Sequence, residues 1–171
     1  MTRSRAAAAI AGVAAVLLAG CSPTVALSPA APYANDPGCA AAIVRMPDRV
    51  GDHAIRSTDA QGTAAWGDPT VALLYCGVPV PEVSELPCIQ IEGVFWLREV
   101  VDAGLAFTTY GRDPATRVVA DTEAIAPGIV LAELANAVSY TPENGRQCVD
   151  LDDTVSGGDI FVDDEDDAPE D

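Results

Sequence analysis

The chain has 171 residues, nine basic and 26 acidic, and a formal net charge of −17. None of the residues is a lysine, which excludes a surface that neutralises a nucleic-acid backbone and disfavours electrostatic adhesion to anionic lipid. The length suits one domain with tails rather than several domains.

Arg3 and Arg5 precede an uncharged apolar run, Ala6 to Gly20. Such a run is a signal-peptide core, short of the roughly 20 residues that span a bilayer. It ends in Leu18-Ala19-Gly20-Cys21. A small residue before a cysteine, preceded by leucine, is the substrate pattern of a lipoprotein signal peptidase. An ordinary secretory signal is the alternative, and Cys21 argues against it. Residues 1–20 are therefore expected to be removed and Cys21 to carry the lipid. A diacylated cysteine supplies the two acyl chains that stable anchoring requires. The implied location is the outer face of the cytoplasmic membrane, with the membrane a partner through Cys21. Loss of the leader leaves seven arginines against 26 acids, a charge near −19.

Residues 21–35 are rich in Pro, Ala and Ser and read as a tether. A domain is expected over 36–149. Asn35 or Asp36 can cap a first helix that opens on Pro37, shows Cys39, Ala40, Ile43 and Val44, and ends before Pro47. His53 to Gly67 is polar and reads as a loop, with Trp66 near its end. Thr70 to Cys76 reads as a buried strand, and Gly77 to Pro87 as a Pro-rich connection. Cys88–Ile91 and Val94–Arg98 flank Glu92-Gly93, a hairpin pattern. Leu105–Tyr110 and Thr116–Asp121 read as further strands around a Gly111–Pro114 turn. Pro127 opens a second helix, with Val130, Leu131, Leu134 and Val138 at helical spacing, which stops before Pro142. The expected fold is α+β: an antiparallel sheet of four or five strands, an N-terminal and a C-terminal helix packed on it, and two disulfides. From Asp150 to Asp171 eleven of 22 residues are acidic and none is basic, the composition of a disordered tail.

With Cys21 taken by lipid, Cys39, Cys76, Cys88 and Cys148 remain. An even number in an oxidising compartment reads as two disulfides, and no C-x2-C spacing points to a metal. Strand-end positions favour Cys76–Cys88, and the ends of the domain favour Cys39–Cys148.

The segments Ala65-Trp66-Gly67-Asp68-Pro69, Leu73-Leu74-Tyr75-Cys76-Gly77-Val78, Pro87-Cys88, Gly93-Val94-Phe95-Trp96, Thr108-Thr109-Tyr110-Gly111-Arg112-Asp113-Pro114 and Cys148 together carry a resemblance. Over about 39–148 the chain resembles a family of exported actinobacterial lipoproteins known as a domain of unknown function. Members typically have Asp-Gly where this chain has Glu92-Gly93. The resemblance implies an envelope location and a four-cysteine framework, and no activity.

No residue stands out as catalytic. His53 is the only histidine, beside Asp52 and near Ser57 and Asp59, without a G-x-S-x-G elbow. Carboxylates such as Glu85, Glu92, Glu99, Asp102, Asp113 and Asp121 are expected to neighbour one another by chance in so acidic a chain. The tail fails the calcium-loop pattern, with Thr154 and Val155 where acid and glycine are required, so no metal or other cofactor is expected. Trp66, Tyr110, Arg112 and Asp113 are the candidates for contact with a ligand or partner, each with a packing or turn role as the alternative. The functional expectation is a non-enzymatic interaction or accessory module of the envelope, engaging an unidentified envelope protein or ligand. A small-ligand-binding lipoprotein is the second reading and an envelope enzyme the third.

Overall fold

The computed structural model describes residues 23–82 and 84–148. The expectations for the signal peptide, Cys21 and the acidic tail fall outside these residues. The elements are α1 (Pro37–Ile43), β1 (Arg49–Val50), β2 (His53–Arg56), β3 (Thr63–Trp66), β4 (Ala72–Val78), β5 (Cys88–Ile91), β6 (Val94–Val101), β7 (Gly104–Tyr110), β8 (Ala115–Ala120) and α2 (Pro127–Val138). The strands form one sheet in the order β1-β2-β3-β4-β8-β7-β6-β5, every neighbour antiparallel.

This overturns the expectation of four or five strands flanked by an N-terminal and a C-terminal helix. The fold is mainly an eight-stranded sheet with two short helices. The added strands, β1 to β3, lie in or beside the segment read as a loop. β3 is Thr-Ala-Ala-Trp, four residues with two alanines at the centre, too short and too small to show an alternating strand pattern. All four of its residues are buried, so small side chains fit where both sheet faces are covered. Pairing with β4 and β2 supplies the strand conformation that the sequence does not encode locally.

One face of the sheet carries the core. Leu74, Val118, Phe107 and Trp96 project from β4, β8, β7 and β6 towards Val130, Leu131, Leu134 and Val138 of α2. The helix positions recur at i, i+1, i+4 and i+8, one stripe of a 3.6-residue period. α1 is capped by Asp36, whose carboxylate accepts from the Gly38 N–H at 2.7 Å, and it buries Cys39 and Ala42 in the same core.

The opposite face is roofed by irregular chain. β4 and β5 run parallel, since four antiparallel steps separate them. Their nine-residue link, Pro79 to Pro87, must cross the strands between them, about 19 Å at 4.8 Å per strand. Pro79, Pro81 and Pro87 fix φ at three of its positions and remove their N–H donors. Residues 142–148 lie over the end of the same face, tied by Asn144 N–H donating to Gly111 O at 2.9 Å and by Arg146 donating to Pro81 O.

The disulfides are Cys39–Cys76 and Cys88–Cys148, with Cα separations of 5.5 and 5.6 Å. The expected pairing, Cys76–Cys88 and Cys39–Cys148, is corrected. Cys76 projects to the helix face and meets α1, whereas Cys88 belongs to the opposite face and meets the C-terminal segment. Strand alternation therefore puts the two cysteines on different sides of the sheet.

The segment read as a tether also belongs to the fold. Val25 N–H donates to Ser57 O at 2.9 Å, Leu27 is buried, and Tyr33 N–H donates to Gly77 O at 2.9 Å.

Candidate functional site

A concavity of about 520 Å³ lies between the proline-rich crossover and the sheet face away from the helices. Its floor is made by Leu97 and Glu99 of β6, Thr108 of β7 and Arg117 of β8. These positions have the opposite parity to Trp96, Phe107 and Val118, which is why they meet the crossover instead of α2. The cross-strand register aligns Leu97 with Thr108 and Thr108 with Arg117. The walls are Val78, Pro79, Pro81 and Leu86, with Glu82 and Ser84 among them.

Arg117 is the chemical centre of this groove. One guanidinium nitrogen lies 2.7 Å from Glu99 Oε2, and another lies 3.4 Å from Thr108 Oγ1. The Arg117 side chain is 32% exposed and that of Glu99 44%. Neither is spent in the pair: the guanidinium keeps unused N–H donors and the carboxylate keeps acceptor sites. The groove therefore offers a donor and an acceptor side by side on an apolar bed. That arrangement matches amide groups, which carry both functions. Tyr75 stands beside Arg117 in the register, and burial, then the Asp59 carboxylate, raises its phenol above the ordinary range.

The residues singled out from the sequence are placed elsewhere. Trp66 is fully buried, and its indole N–H donates to Pro47 O at 3.0 Å, fastening the α1–β1 connection to the sheet. Arg112 is 7% exposed and closes the C-terminus of α2, donating to Ser139 O at 2.9 Å and Thr141 O at 2.8 Å. It also pairs with Glu143 at 3.0 Å. The exposed Asp113 donates its N–H to Pro142 O at 2.9 Å. Tyr110 and Arg112 line a polar cleft of about 350 Å³ under residues 143–147. The structure thus brings Tyr110 and Arg112 together and leaves Trp66 apart in the core. His53 is on β2, three strands from Arg117. Among the described residues no group of three or more His, Cys, Asp or Glu side chains is placed to hold a metal.

Sequence reasoning missed Arg117 and weighed Glu99 only as one acid among many. A signal was available. Arg117 is the charged member of an otherwise apolar or small strand, Ala115-Thr116-Arg117-Val118-Val119-Ala120, and Glu99 alternates with exposed positions in β6. Their adjacency arises only from the β6-β7-β8 register, which the strand sequences do not reveal one at a time.

A family profile described as a protein of unknown function, DUF3515, matches residues 5–146. Searches of the curated proteins and of the solved structures found no match.

Proposed function

The chain belongs to the DUF3515 family, and on that premise we propose that it is a lipid-anchored module on the outer face of the cytoplasmic membrane that holds an extended segment of another envelope protein. The anchoring half rests on the Leu18-Ala19-Gly20-Cys21 pattern after an apolar run. The family match begins at residue 5, inside the leader, so that run belongs to the matched region. The binding half is carried by one observation: the groove with its half-exposed Arg117–Glu99 pair beneath a proline-rich roof. An extended peptide lays alternate side chains on an apolar bed while its amides face such donors and acceptors. With 15 acids and seven arginines outside the leader and tail, the module favours a segment carrying positive charge. All four mature-domain cysteines are in disulfides, which removes a thiol nucleophile from consideration.

A photo-crosslinking residue at Ser84, in membranes of the native host, tests this. It should give a discrete protein adduct that Arg117→Ala weakens several-fold, while the same probe at exposed Val44 gives none. An Arg117-independent adduct, or none at either site, would refute the groove as the binding surface. The groove volume also falls in the range of roughly 300–1,000 Å³ typical of small-molecule sites. That second reading predicts no protein adduct, together with Arg117-dependent thermal stabilisation by a small-molecule fraction of the same membranes.

A further inference from the structure

The segment just after Cys21 is bound to the domain almost from its first residue. Arg56 donates to Pro23 O at 2.8 Å. Val25 pairs with Thr58 in a parallel bridge, donating to Ser57 O at 2.9 Å and accepting from Asp59 N–H at 3.2 Å. The Asp59 carboxylate accepts from Leu27 N–H at 2.6 Å and Ser28 N–H at 3.1 Å, and Leu27 is buried. In the sequence only Ser22 separates Cys21 from Pro23. Two residue steps reach at most about 7 Å.

We infer that the domain sits directly on the lipid surface with a set edge towards it, the edge formed by Pro23, Arg56, Asp68 and Pro69. This rests on the lipid-anchor reading above. Arg56 gathers that edge: besides Pro23 it donates to Gly67 O at 3.0 Å and lies 3.5 Å from the Asp68 carboxylate. Asp68 and Pro69 are exposed beside it. A free tether of fifteen residues would let the domain tumble, whereas a chain held from Pro23 does not. The sheet order sets the consequence. β2 is at the anchored side, and β5 is six strands away along a sheet that curves around α2, about 29 Å measured along the sheet at 4.8 Å per strand. The floor of the groove, on β8, β7 and β6, lies between three and five strands from β2. The anchor therefore holds the groove off the bilayer, where another protein's segment can enter it. A membrane-bound domain of net negative charge needs such a mechanical constraint, because electrostatics would not orient it on anionic lipid.

The test uses the full chain, lipidated in its host and reconstituted in vesicles that carry a nitroxide on the lipid headgroup. A fluorescent non-natural amino acid is placed at exposed Asp68 or at exposed Gln90 of β5. Intact mass of each sample establishes acylation at Cys21. Quenching at position 68 should exceed that at position 90 at least threefold. Twelve Gly/Ser residues inserted between Ser22 and Pro23 should bring the two values together. Acylated protein with equal quenching at both positions would overturn the orientation and leave the anchor standing. Protein that lacks acyl mass at Cys21 would overturn the anchor and the orientation with it.

Discussion

Arg112 shows how much one side chain can do when its surroundings are buried. Its guanidinium donates to two carbonyls just past the end of α2. Arg112→Ala leaves the buried Thr141 carbonyl unpaired and should cost about 1–3 kcal/mol, the range for one buried polar group left unsatisfied. Thermal unfolding measures it, and Arg112→Lys should recover only part, because an ammonium lacks the two-pronged geometry. Asp59 illustrates a charge effect at an exposed carboxylate. The Leu27 N–H, foremost among its hydrogen bonds, holds its carboxyl below the ordinary range. A depressed folded-state pKa gives stability that is complete above the unfolded value, near pH 4, and is lost as pH falls through the folded one. Acidification below about pH 4 should therefore loosen residues 25–28. The Leu27 and Ser28 amide shifts should titrate with an apparent pKa below that of a free aspartate. Flat amide shifts across pH 5 to 2 would show that the carboxylate does not hold them.

At the scale of elements, β4 and its exit decide the architecture. Gly77 forms a bulge where the β4–β8 register shifts between Cys76 and Val78, and its φ is +90°. A Cβ there would collide with the backbone of Tyr33 and Ala34, which cross it. Gly77→Ala should destabilise by about 3 kcal/mol, from the positive φ and the displaced N-terminal segment together. Urea unfolding at fixed m-value checks this. The two disulfides close loops of 37 and 60 residues, for which chain-entropy reasoning gives about 4 kcal/mol each. Cys39 and Cys76 are fully buried, and Cys88 and Cys148 only half-buried. Graded reduction followed by alkylation and peptide mapping should open Cys88–Cys148 first. Opening of Cys39–Cys76 at lower reductant would contradict the burial difference.

For the whole molecule, the N-terminal segment is part of the stable unit. Residues 25–34 contribute buried Leu27 and Ala34, a bridge to Thr58 and a contact over Gly77. A chain begun at Asn35 should lose about 2–4 kcal/mol, the scale of one buried leucine plus a few net hydrogen bonds. An unchanged melting temperature would mean that the segment rests on the surface without stabilising it. On the anchor proposed above, the same segment would link stability to position, because what fastens it to the sheet also shortens the reach from Cys21.

The sequence by itself determined the elements whose own residues encode them. The alternation from Leu105 to Tyr110, the Glu92-Gly93 turn and the stripe on α2 are local patterns set by side-chain periodicity, and each marks the element found there. The apolar run before Cys21 is an equally local pattern, and it lies outside the described residues. What only the tertiary structure decided depends on contacts between distant residues. β3 is a strand because β4 lies beside it; four residues with two central alanines are too short a run to signal one. The cysteine pairing follows from which sheet face each strand residue occupies, and a shift of one position reverses that. The Arg117–Glu99 groove exists because β8 and β6 flank β7 in register, under a connection whose path no local pattern specifies.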